Sequence, residues 1–311
     1  MMKNDIRKIF EQALLNQHFI RYDGNKELKV FLGKDEKGNY ALEFRGMFNA
    51  VRIKSSDAIS VCQERDERGE AILMFSLVNP EILNTFCIFC EDMLNSIDAI
   101  SDDETAYNTL RSCYSSWKEL FKPLNVHLSE MQIMGLIGEL LFLEEFMIPL
   151  HGISTALESW AGPDMAHKDF SLANTWFEVK TIGSGKDAVT ISSLEQLDSE
   201  TEGHLAVYRL ERMAPPYNGI KLDEIVMRIL SGIKSVNEKT IFMTKLEEYK
   251  FRFSHAYNTY VYEKKDFGSY RVTNQFPRLK RKDIPACISK VQYDIQLSQI
   301  ENFKEETPYL S

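Results

Sequence analysis

The sequence predicts an α+β protein, and three observations carry that reading. Strand-length runs separated by turn signals fill the first third, helical periodicity takes over from Pro80, and strand alternation returns around Phe170. The expected architecture is a β-rich N-terminal module (1–100), an α/β core (101–235) and a basic, aromatic C-terminal β extension (236–311). With 44% apolar, 27% charged and 11% aromatic residues in 311, the composition excludes long disorder, collagen-like repeats and coiled coil.

In the N-terminal module, Phe19–Tyr22, Leu28–Leu32, Tyr40–Phe44, Ser60–Cys62 and Ile72–Leu77 read as strands. The punctuation between them includes Gly33-Lys34-Asp35 and Asp66-Glu67-Arg68-Gly69. Beyond Pro80, the spacing of Ile82, Leu83, Phe86, Phe89 and Cys90 predicts a helix, and a second runs from Leu110 to Phe121 around Trp117. A third starts at Ser129-Glu130-Met131-Gln132, a capping box. The apolar run 131–150 is interrupted by Glu139, Glu144 and Glu145, so it reads as a core helix rather than a membrane span.

The five cysteines are odd in number and scattered, and no export signal precedes them, which implies reduced thiols and a cytoplasmic location. Cys87-x-x-Cys90 sits among apolar residues without a second ligand pair and reads as two helical core thiols. The histidines show no paired metal spacing, and no Gly-rich phosphate loop is present, so ATP hydrolysis is not expected. The net charge of −9 disfavours nucleic acid on its face. Between Tyr249 and Lys282, however, nine basic residues face two acidic ones, a balance of +7, with nine aromatics interleaved. That stretch reads either as a nucleic-acid surface, with Lys280, Arg281 and Lys282 on phosphates, or as a solvated sheet face.

Chemistry concentrates between Glu139 and Gln196. Glu139 lies in an almost wholly apolar helix, where a carboxylate must neutralise, pair with a cation or bind one. Ala173-Asn174 is a plausible tight turn between Phe170–Leu172 and Trp176–Lys180, and the hairpin brings Asp169 back towards Lys180. Alternation puts Phe177 and Val179 on the core face and Trp176, Glu178 and Lys180 on the other. Two acids and a lysine suit Mg²⁺-assisted phosphodiester hydrolysis, the acids as hard oxygen ligands and the ammonium orienting water. Spacing alone is weak evidence, because Glu27-Leu28-Lys29, Glu248-Tyr249-Lys250 and Glu263-Lys264-Lys265 repeat the triplet. The bland alternative is a surface strand with an ion-paired Glu and Lys.

Leu136-Ile137-Gly138-Glu139-Leu140, Trp160-Ala161-Gly162-Pro163, Asp169-Phe170, Phe177-Glu178-Val179-Lys180-Thr181 and Ile191-Ser192-Ser193-Leu194-Glu195-Gln196-Leu197 together resemble the bacterial PD-(D/E)XK motif proteins of restriction and antiphage gene clusters. The resemblance extends to Phe276-Pro277-Arg278-Leu279 and the Tyr293–Leu297 strand. It implies a restriction-endonuclease-like core that cuts double-stranded DNA with Mg²⁺, Mn²⁺ being able to substitute. Asp169, Glu178 and the Val179 carbonyl would hold the metal, Lys180 would act on the water, and Glu139 would complete the site or bind a second ion. Gln196, early in a helix, would be directed at the site or cap it through Ser193. Asp164, in a literal Pro-Asp 14 residues before Glu178, competes with Asp169, and His167 reads as structural or as a phosphate contact. The resemblance also implies partner ATPase, helicase or methyltransferase subunits, allows a homodimer, and involves no membrane. The competing function is a non-cutting DNA-binding or scaffold subunit that recruits partner ATPase or methyltransferase components.

Overall fold

The computed structural model describes residues 6–13, 15–118, 120–121, 127–161 and 168–305. It is an α+β protein that divides into two compact units: Met1–Val126 with Lys234–Met243 and Phe251–His255, and His127–Ile233 with Thr244–Lys250 and Ala256–Ser311. The division differs from the expected three parts. Helix 103–118 belongs to the N-terminal unit, and the strands expected as a separate C-terminal extension complete the sheet of the second unit, because backbone pairing joins them there.

The N-terminal unit begins with α1 (Ile6–Gln12) and builds one antiparallel sheet from β1 (Phe19–Arg21), β2 (Lys29–Lys34), β3 (Tyr40–Gly46), β4 (Ile59–Arg65) and β5 (Ala71–Leu77), in the order β1-β2-β3-β5-β4. Two of its turns use the same chemistry. Asp35 Oδ1 accepts the N–H of Lys37 and of Asn39, Asp66 Oδ1 accepts that of Arg68 and of Glu70, and Gly38 and Gly69 take φ of 83° and 80°. A short acid that caps its own turn and a glycine in the left-handed region are what such hairpins require. Leu73, Phe75 and Leu77 alternate inward on β5. The N-terminal unit also contains α2 (Leu83–Ser96) and α3 (Asp103–Lys118), and Phe75 packs its ring 5.8 Å from Phe89 and 5.1 Å from Tyr114. Trp117 Nε1 donates to Asp92 Oδ2 (2.8 Å), giving the indole a partner at full burial.

The second unit starts with α4 (Glu130–Phe142), followed by a π-helical turn at Leu143–Met147, α5 (Ile148–His151) and α6 (Ile153–Ser159). The capping box forms as expected: Ser129 Oγ accepts the Gln132 N–H and Gln132 Oε1 accepts the Ser129 N–H (2.9 Å). Among the described residues, no helix is long and apolar enough to cross a membrane. The strands are β6 (Phe170–Ser171), β7 (Trp176–Gly183), β8 (Ala188–Ile191), β9 (Gly203–Met213), β10 (Val261–Val272), β11 (Tyr293–Gln296) and β12 (Lys304–Glu305), and the remaining helices are α7 (Leu222–Gly232) and α8 (Val236–Glu248), the latter lying partly in each unit. The main sheet runs β12-β10-β9-β7-β6, antiparallel except for the parallel pair β7–β9, and β8 pairs with β11 apart from it.

Strand β7 departs from the expected half-solvated pattern. Trp176, Glu178, Lys180 and Ile182 do share a face, but Trp176 and Ile182 are buried there in an apolar cluster with Val189, Ile191, Leu205, Val207 and Ile295. The opposite face, with Phe177 and Thr181, packs on α4, where Phe142 lies 5.1 Å from the Phe177 ring and Gly138 faces Thr181. An interior strand covered on both sides buries polar residues that alternation assigns to solvent.

Candidate active site

Three acids approach one another at the β6–β7 hairpin and α4. The Leu172 N–H donates to the Thr175 carbonyl (2.9 Å), closing the tight turn at Ala173-Asn174. Asp169, immediately before β6, is thereby returned to β7, where its Oδ2 accepts the Val179 N–H at 2.7 Å. Val179 thus enters the site through its N–H. Glu178 is 1% exposed; its Oε1 pairs with Lys180 Nζ at 2.9 Å and its Oε2 is buried without a hydrogen-bond partner. Lys180 Nζ also donates to Gln196 Oε1 (3.1 Å), which accepts the Ser192 N–H at 2.7 Å.

Two expectations are corrected here. Gln196 lies in a single 3-10 turn (Leu194–Gln196) rather than early in a helix, and the N–H it caps is that of Ser192, while Ser193 makes no side-chain cap. Glu178 and Lys180 are indeed ion-paired, as the bland alternative supposed, but on a buried strand rather than a surface one. Asp164 and His167 lie outside the described residues.

Among the described residues, Glu139 pairs with neither arginine nor lysine. Its Oε2 accepts the Trp160 indole N–H at 2.9 Å and the Tyr249 hydroxyl, whose ring stacks on Trp160 with centroids 5.3 Å apart. Neutral donors hold the carboxylate without cancelling its charge. Trp160 stands in a motif already singled out, but nothing in its local sequence couples it to Glu139, and Tyr249 is one of many aromatics in its stretch of the chain. Lys168, also missed, stacks its ammonium 4.1 Å from the Trp176 ring centroid and donates to the Glu195 and Asp198 carbonyls.

The electrostatics follow from burial and mutual repulsion. Burial, then the charge of Asp169, pushes Glu178 up to about 8, against the pull of Lys180. Burial and Asp169 likewise hold Glu139 well above the usual carboxylate range. Asp169 is raised by burial although the Val179 N–H and the lysines oppose it. Desolvation lowers Lys168 to about 8. Clustered acids that resist ionisation, one with an orphaned buried oxygen, fit a divalent cation, whose charge offsets both penalties. Among the described residues no three His, Cys, Asp or Glu side chains converge as a complete metal cage.

The family model described as "Putative PD-(D/E)XK family member (DUF4420)" matches residues 8–298. The chain belongs to this PD-(D/E)XK family. The match covers nearly all of both units, so the N-terminal sheet is part of what the family shares and not an appendage to a nuclease-like core. No curated protein and no solved structure matches this PD-(D/E)XK chain.

In the basic C-terminal stretch, the cations on β10 are paired with carboxylates: Lys264 with Glu145, Lys265 with Glu211 and Glu263, and Arg271 with Glu202. Arg278 donates to the Leu197 carbonyl. Lys280, Arg281 and Lys282 line a pocket that also contains Asp198 and Glu200, and Arg281 donates its backbone N–H to Asp198 Oδ2 (2.9 Å).

Proposed function

We propose that this PD-(D/E)XK protein is a Mg²⁺-dependent endonuclease that hydrolyses phosphodiester bonds in double-stranded DNA. The observation that carries the reading is the buried, orphaned Oε2 of Glu178 beside Asp169, an arrangement that costs stability in the absence of a cation. Asp169 and Glu178 hold the metal, with the Val179 carbonyl as a further ligand, and Glu139 completes the site or holds a second ion. Bound there, the cation supplies Lewis-acid stabilisation of the charge that develops on the phosphoryl oxygens, and Mn²⁺ can replace Mg²⁺.

The chain's own groups do the rest. The Asp169–Val179 hydrogen bond fixes one carboxylate to the strand that bears the other. Lys180 has three N–H groups; Glu178 and Gln196 take two and hold the ammonium, leaving one to orient an attacking water. Trp160 and Tyr249 fix the rotamer of Glu139.

The biological setting rests on the resemblance to proteins of restriction and antiphage clusters. On this reading the protein works in the cytoplasm with ATPase, helicase or methyltransferase subunits that supply the motor or the marking activity it lacks, and a homodimer is compatible. Nicking of supercoiled plasmid by purified protein, with Mg²⁺ and with EDTA, tests the chemistry, and phage restriction in cells at matched protein levels covers dependence on partners. Plasmid left intact, together with restriction that survives Glu178→Ala, identifies a non-cutting scaffold.

A further inference from the structure

The loop between β3 and β4 and one face of α3 border an open pocket of about 550 Å³ within the N-terminal unit. Its charged lining is entirely cationic: Arg52 and Lys54 come from the loop, Arg111 and Lys118 from the helix. Positions 111, 115 and 118 are spaced four and three apart, so the helical part of the lining is one face, and Ser115 adds a neutral hydroxyl. No carboxylate lines the pocket among the described residues, and none of the four cations forms an ion pair there. In a chain of net charge −9, where the cations of β10 are each matched by glutamates, that is a local reversal.

The loop is fastened rather than splayed. The Val51 N–H donates to the Tyr107 hydroxyl, whose own proton goes to the Val51 carbonyl, both at 2.8 Å. The Ile53 N–H donates to Gln63 Oε1 at 2.9 Å. Tyr114 and Lys118 both donate to the Lys54 carbonyl, at 3.2 and 2.9 Å, with the Tyr114 ring buried beneath. Backbone anchoring of this kind holds like charges together on one wall, and guanidinium and ammonium groups are the groups that grip phosphoryl oxygens. Arg52 and Lys54 are exposed while Arg111 and Lys118 are half-buried, so the cations are spread across an open surface instead of converging on one enclosed point. A polymer of phosphates suits that spread better than a single phosphate ion does.

We propose that this pocket binds the phosphodiester backbone of DNA without reading bases, giving the N-terminal unit a DNA grip of its own. The choice of DNA rests on the nuclease reading of the second unit, and the test keeps the two separable.

Binding of a fluorescent DNA duplex by the full chain is measured in EDTA over a range of KCl, for wild type, for Arg52→Gln/Arg111→Gln and for the charge-preserving Arg52→Lys/Arg111→Lys. The glutamine variant is expected to weaken binding and to lower the slope of log Kd against log salt by about two, roughly 0.9 per lost phosphate contact, while the lysine variant keeps the wild-type slope. A slope unchanged by the glutamine pair overturns the proposal, as does wild-type protein that does not bind the duplex. Inorganic phosphate that raises the Tm of wild type but not of the glutamine variant, alongside an unchanged DNA slope, assigns the pocket to free phosphate and also overturns it. A lowered slope in protein that leaves plasmid intact with Mg²⁺ and whose restriction in cells survives Glu178→Ala upholds the pocket and removes the nuclease reading instead.

Discussion

A methyl group at Gly138 would stand 1.9 Å from Thr181 Oγ1. This contact sets how closely α4, which carries Glu139, lies on β7, which carries Glu178. Threonine on a strand has little χ1 freedom to retreat, so Gly138→Ala is expected to force the helix away and destabilise the protein by about 1–3 kcal/mol. Thr181 Oγ1 is itself buried without a hydrogen-bond partner, so Thr181→Ala alone should cost little. The double variant should then recover most of the loss. Denaturant unfolding of the four proteins checks the cycle, and additive losses would show that the contact does not govern the packing.

Asp169→Ala and Glu178→Ala are expected to abolish cleavage. Neither should lower thermal stability at pH 8 in EDTA, because each removes one member of a mutually repelling buried pair. Asp164→Ala, run beside them, should still cut. Activity in Glu178→Ala, or its loss in Asp164→Ala, would move the metal-binding acid elsewhere.

The same carboxylates give the metal-free protein a pH dependence of definite sign. Glu178 is raised from 4.5 to about 8 on folding, so between those values the folded state holds a proton that the unfolded chain has released. Its contribution to stability is present below pH about 4.5, declines as pH rises and is lost by about 8, with a slope of up to about 1.4 kcal/mol per pH unit for one proton. Asp169 and Glu139 shift in the same direction and add to the trend. Urea titrations in EDTA from pH 5 to 8 should therefore show falling stability, and Mg²⁺ at pH 8 should restore it, by about 2.7 kcal/mol at a hundredfold excess over its Kd. A profile shallower in Glu178→Gln than in wild type, with the remaining slope owed to Asp169 and Glu139, assigns its share of the effect to Glu178; an unchanged slope excludes it.

Lys180 separates catalysis from structure. As a mere counter-charge to a buried carboxylate, its removal would lower stability, by up to about 3–5 kcal/mol, without slowing the folded protein's chemistry. As the donor that orients water, its loss in Lys180→Ala should slow cleavage by ~10²-fold or more. Gln196→Ala should do the same to a smaller degree, since it removes one of the two groups holding the ammonium while Glu178 remains. Cleavage rates at matched protein concentration provide the comparison, and undiminished cutting by Lys180→Ala would assign the lysine to charge balance alone.

What the sequence by itself determined was local. The capping box at Ser129, the tight turn at Ala173-Asn174, the paired Asp-x-x-Gly turns and the change from strand to helix at Pro80 are each specified by residues within a few positions of one another, whose dihedral and hydrogen-bonding preferences act before the chain has closed on itself. Those signals bring Asp169 to Glu178 and Lys180, because one hairpin links them. What only the tertiary structure decided was which distant groups surround that hairpin. Trp160 and Tyr249 reach Glu139 across 21 and 110 positions, Gln196 turns back on Lys180 from a single 3-10 turn, and the C-terminal strands enter the sheet of the active-site unit. Burial is the clearest case. Alternation puts Glu178 on a polar face, but pairing with β9 and coverage on both sides take it out of water, and its displaced pKa follows from that environment and not from its neighbours along the chain.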